Sequence, residues 1–130
     1  MNVRVLVLSF LLFPGLALAA PMTCRRSPAL TGKCGMVKGS LGLTPQVGVT
    51  LDKEDGGRIL IVAPPGSDAD IAPDVMQNWL YWETKSGSMN TRISGTYEVC
   101  PLPAQENRAG ITQSACISNG RSITEDKAAR

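Results

Sequence analysis

Eleven carboxylates and no histidine set the chemistry open to this chain of 130 residues. Without an imidazole there is no serine triad, no cysteine–histidine pair and no ordinary zinc hydrolase centre, and the serines have no evident base. Carboxylate chemistry remains: Asp52, Glu54, Asp55, Asp68, Asp70, Asp74 and Glu83 are available as the two acids of a glycosidase. Their placement argues against it, because most fall in turns or helix starts, where acids stabilise local backbone as turn formers and caps. Asp52-x-Glu54-Asp55-Gly56 lacks the spaced oxygen ligands of a calcium loop. Gly39, Gly42, Gly48, Gly56 and Gly57 never assemble into a phosphate cradle ahead of a helix. The expectation is no catalytic residue, no metal ligand, no cofactor and no enzymatic activity.

The four cysteines, Cys24, Cys34, Cys100 and Cys116, are too widely spaced for a C-x-x-C metal knuckle and have no histidine to join them. An even count in an exported chain points instead to two disulfides formed in an oxidising compartment. Three connectivities are open, and the preferred one is Cys24–Cys34 with Cys100–Cys116, since each closes a short loop.

Export is read from the N-terminus. Arg4 precedes an apolar run from Val5 to Phe13, then Pro14-Gly15, then the small and apolar stretch Leu16 to Ala20, the order of a secretory signal. Ala17 and Ala19 satisfy the small-x-small rule, so residues 1–19 are expected to be a cleaved signal peptide. The run is interrupted and short of the roughly 20 residues a membrane span needs, so no stable membrane insertion is expected after cleavage. Cys24 follows Met22-Thr23, which is not the context of a lipid-modified cysteine. Periplasmic or secreted localisation follows. Losing Arg4 leaves 12 basic against 11 acidic residues, a net charge of +1, and the cations are scattered. No stripe for nucleic acid is present.

The elements that would position any site are mostly strands. Residues 37–43, 46–52 and 91–99 alternate apolar with polar or tiny side chains, each a half-buried strand. Lys53 to Gly57 reads as a hairpin turn, Arg58 to Ala63 as a strand covered on both faces, and Pro64-Pro65-Gly66 as its end. Asp68 to Glu83, with acids and a proline at its front, reads as a short helix. Val75, Met76, Trp79, Leu80 and Trp82 form its apolar face, with both tryptophans as core and Tyr81 left exposed. Cys100-Pro101-Leu102-Pro103 is expected to break the fourth strand, and residues 111–117 to form a fifth. Residues 20–122 make one domain, and 123–130 a flexible C-terminal tail.

Two segments match: Val37-Lys38-Gly39-Ser40-Leu41 and Ile93-Ser94-Gly95-Thr96-Tyr97, each with a glycine where an apolar side chain would point inward. A strand glycine marks a bend or close approach, as strongly coiled barrel strands require. If these two strands are antiparallel neighbours, Cys34–Cys100 becomes the rival disulfide. The order strand, strand, strand, helix, strand, strand resembles the OB-fold, a five-stranded Greek-key barrel with a helix between strands three and four. With V-x-G in strand one, the chain is similar to small exported bacterial OB-fold proteins of uncharacterised function. That resemblance implies a binding module whose partner is a protein, peptide or glycan, not nucleic acid. It places ligand contacts near the usual OB binding edge, at Lys53, Arg58, Tyr81 and Arg108 in the Pro101–Arg108 loop. The alternative it implies is a structural or assembly subunit of an oligomeric envelope or secreted complex, like the ring-forming OB-fold subunits of bacterial toxins.

Overall fold

The structure is a computed structural model that describes residues 23–104 and 110–127. The expected signal peptide and Arg108 lie outside the described residues. After a 3-10 turn at Cys24–Arg26, the elements run β1 (Gly35–Thr44), β2 (Gly48–Lys53), β3 (Arg58–Ile61), α1 (Pro73–Ser86), β4 (Ile93–Leu102) and β5 (Ile111–Glu125). The five strands close into a barrel in the order β1-β2-β3-β5-β4. β3 and β5 pair in parallel, and the other pairings are antiparallel. This is the OB-fold arrangement, with its helix between the third and fourth strands.

The matched segments are what lets the barrel close. Gly39 lies directly opposite Gly95, with Val37 opposite Tyr97 and Leu41 opposite Ile93. Over Gly39–Leu41 the same strand also pairs with β2, so β1 is shared by both halves of the barrel. A Cβ on Gly39 would stand 2.4 Å from the Asp52 carbonyl oxygen, so only glycine admits that approach. Inside, Leu41, Leu51, Ile59, Ile93, Tyr97, Ala115 and Ile117 form the core, with Val75 and Trp79 of α1 closing one end. Burial pushes the Tyr97 hydroxyl pKa up and keeps it a donor, and it bonds the Ile93 carbonyl at 2.7 Å.

The helix is later and narrower than its sequence suggests. Ala72 precedes Pro73 and is extended (φ −57°, ψ 143°), as a residue before proline must be, so the helix cannot start at Asp68. Residues 70–72 instead join β5: Ile71 bridges Ile117, the Ile117 amide donates to the Asp70 carbonyl, and the Ala72 amide donates to that of Ile117. Gly87, left-handed at φ 70°, ends α1 by donating to the Glu83 carbonyl. Val75 and Trp79 are buried and Met76 and Trp82 pack partly against the core, whereas Leu80 is exposed beside Tyr81. The strip of α1 that meets the barrel is narrower than the apolar stripe. Leu43, expected to face inward on β1, is likewise half exposed where that strand runs past the barrel toward its turn.

Two strands outlast their expected ends. β4 continues through Cys100-Pro101-Leu102, because β1 has already stopped opposite Val99 and Pro101 has only β5 as a strand neighbour. Proline is tolerated at such an edge. β5 runs on to Glu125, opposite Ile93, and the Asp126 amide donates to the Arg92 carbonyl, so residues 123–126 are held and do not fray.

The disulfides are Cys24–Cys116 and Cys34–Cys100, which corrects the short-loop preference. Cys34, Cys100 and Cys116 stand in one row: Cys34 continues the register one step past Gly35–Val99, and Cys100 faces Cys116. Cys100 therefore has a cysteine on each side and bonds the one at the start of β1. Cys116 is left for Cys24, which the 3-10 turn lays against β5. Spatial neighbours across the sheet outrank neighbours in sequence. The bridges, with Leu102, form a second small core that Ala29, Leu30 and Val62 pack against. No helix among the described residues is long and apolar enough to cross a membrane.

Candidate functional site

Strand alternation sends odd-numbered residues of β1 and β4 inward and even-numbered ones out. The register lines up Asp52, Ser40, Ser94 and Thr124 as one outward row across β2, β1, β4 and β5. Arg92, just before β4, lies across this row. Its Nε donates to Ser40 Oγ at 3.1 Å, and its Nη2 donates to the carbonyl oxygens of Ser40 at 2.6 Å and Thr50 at 3.2 Å. The same nitrogen is 3.3 Å from Asp52 Oδ2, while Arg58 Nε donates to Asp52 Oδ1 at 2.8 Å. One carboxylate thus ties together cations from opposite sides of the face.

Gly42 makes room for this arm, since a Cβ there would stand 2.6 Å from Arg92 Cγ. Only 13% of the Arg92 side chain is exposed. Burial draws its pKa below the ordinary value, and the Asp52 charge opposes that shift. The cost of desolvating a guanidinium is met here by hydrogen bonds and an ion pair together. Beside the network a shallow groove of about 380 Å³ is lined by Lys38, Ser40, Asp52, Ser94, Thr96 and Thr124. This surface offers hydroxyls, a lysine and carboxylate edges to a polar ligand. Both Asp52 oxygens are engaged by arginine, so it serves as an acceptor within the network.

Of the residues expected at a ligand edge, Lys53 ends β2 and Arg58 begins β3, and the two share one hairpin. Tyr81 is on the outer side of α1, edge-on to Trp82 at 5.1 Å, with Lys85 Nζ 5.8 Å from its ring. The helix packs chiefly on β5, so Tyr81 belongs to a different surface. Arg92, Ser40 and Asp52 were missed as a group. Their signal is present, because Ser40 and Asp52 occupy even, outward positions of their strands and Arg92 keeps the same alternation just ahead of β4, but only the pairing brings them together.

Among the described residues, one grouping has metal-ligand spacing: Cys34, Glu98 and Cys100. Its two sulfurs are joined in a disulfide, and Glu98 is engaged elsewhere. Ser118 Oγ donates to its carboxylate, as does Arg25, whose Nε reaches Oε1 at 2.9 Å. The Ser118 hydroxyl first, and then Arg25, hold the Glu98 carboxyl below the usual carboxylate range. A depressed folded pKa contributes stability above the unfolded value of about 4.3 and loses it as pH falls through the folded value. Melting curves from about pH 6 down to about pH 3 are therefore expected to fall less for Glu98→Gln than for the wild-type protein. Parallel profiles would show that this tie adds nothing.

No family model, curated protein or solved structure matches the chain at a significant level.

Proposed function

We propose that this protein is an exported, non-catalytic binding module that holds a protein, peptide or glycan partner on the outer face of β1, β2 and β3. The observation that carries this reading is the Arg92–Asp52–Arg58 network, set on a rigid, doubly bridged OB barrel at the face where such barrels bind. Lys53 and Arg58 are the principal contacts, joined by Ser40 and Asp52, and a signal peptide delivers the chain to an oxidising compartment. The reading is recognition, supported by a sequence without histidine and by an Asp52 whose two oxygens are both held by arginine.

Native mass spectrometry of the chain from a periplasmic extract tests this directly. The expected species is a monomer beginning at Ala20, with two disulfides and any retained ligand read as added mass. Peptide and glycan arrays then compare wild type with Lys53→Ala/Arg58→Ala. The double variant is expected to lose binding about tenfold or more at unchanged melting temperature. Equal binding would remove the face from consideration, and an uncleaved N-terminus would remove export. The exposed Leu80 and Tyr81 on α1 favour a second reading, an assembly subunit, which a closed ring in the same spectrum would bring to the front.

A further inference from the structure

We propose that the cleft between the Cys24–Arg26 turn, the start of α1 and the middle of β5 binds a small organic carboxylate with an apolar body. The cleft has a volume of about 720 Å³ and shares no residue with the groove over Asp52. That size is within the range of small-molecule sites, about 300–1,000 Å³, which are mostly apolar with a few placed polar groups. Ala69, Ala72 and Pro73 supply an apolar floor.

Charge sets the ligand class. Arg25, Arg26 and Asp74 are the charged groups that line the cleft. Arg25 is already committed to Glu98. Arg26 is exposed, and its side chain makes no ion pair or hydrogen bond among the described residues, leaving its planar fork open to a carboxylate. One free guanidinium over an apolar floor suits one charge on an apolar body better than a compact, multiply charged ion, whose hydration the floor cannot replace. The wall is also held in place before any ligand arrives: Cys24 is bonded to Cys116, and Arg25 is tied to Glu98. Little ordering remains to oppose binding.

Methyl NMR titration of the oxidised mature chain with decanoate, decanol and decylamine tests the proposal. Decanoate is expected to shift the methyl signals of Ala69 and Ala72 at millimolar concentration and to bind about tenfold more tightly than decanol. Arg26→Ala, at an exposed position, is expected to bring decanoate down to the decanol level and to leave decanol unchanged. Ala69→Trp, also exposed, fills the cleft and is expected to abolish both. The proposal is overturned if decylamine binds as well as decanoate, which would make Asp74 the dominant charge. It is equally overturned if the shifts centre on Leu80 and Met89, if Arg26→Ala has no effect, or if decanoate does not bind.

Discussion

Replacing both Cys24 and Cys116 by serine is expected to lower the melting temperature by roughly 15–25 °C, taking about 4–8 °C per kcal/mol for a domain of this size. The two bridges are nested, one spanning 92 residues and the other 66. Once Cys34–Cys100 is closed, the path left between Cys24 and Cys116 is the difference, 26 residues. Closing a loop of that length is worth roughly 3.5 kcal/mol on the chain-entropy account. Both sulfurs are buried beside Leu102, so two serine hydroxyls would be left in an apolar pocket and add to the loss. Thermal unfolding of the variant with Cys34–Cys100 intact measures this. A drop under 5 °C would mean that the 3-10 turn is held by its other contacts and that the bridge adds little.

The second large effect is at the glycine pair. Gly39→Ala is expected to cost about 3 kcal/mol or more, the upper end of overpacking penalties, because the new methyl would meet backbone that no rotamer change can move. Gly95→Ala is expected to cost about 1 kcal/mol, since its nearest neighbours, the Arg121 carbonyl oxygen and Ile123, stand at 3.1 Å and yield by a small shift. Gly35→Ala, with nothing within 4 Å, is the control, and a change of under about 0.5 kcal/mol is expected there. Urea unfolding of the three variants gives the order. If Gly39→Ala and Gly35→Ala proved equal, β1 would have room to move away from β2, and the close approach would not be what shapes the barrel.

The architecture was legible because two local signals were strong. Alternation located the strands, and the glycines at 39 and 95 marked the bends, so the barrel and the place of its helix could be read before any contact was known. What stayed hidden depends on who sits beside whom. The pairing of Cys24 with Cys116 has no signal in the spacing, and Cys34–Cys100, the rival if the two glycine strands are neighbours, is decided only by the β1–β4 register. Arg92 looked like one more scattered cation until the register set it over Gly42 and against Asp52. Pro73 held the true start of α1 in plain view, because it forces Ala72 out of the helical region, yet the acids upstream were read as helix caps. β5 was cut short at Ile117 because Ser118 to Glu125 is polar. A strand paired with β4 along its length needs only backbone partners, and side-chain polarity carries no information about those. Lys53 and Arg58 could be read as hairpin neighbours, whereas Tyr81 was grouped with them by chemistry alone and stands on another element.

The nesting of the two bridges also governs what a protease can do to this protein. Any single cut of the backbone between Cys24 and Cys116 leaves both pieces covalently attached, because the outer bridge encloses the whole interval and the inner one ties its middle. A nicked molecule keeps its mass and its strand partners near one another, and two cuts are needed before any piece can diffuse away. Tension applied at the two ends passes from Cys24 directly to Cys116, so it loads the last part of β5 and spares the strands enclosed between the bridged cysteines. That is a form of durability distinct from a high melting point.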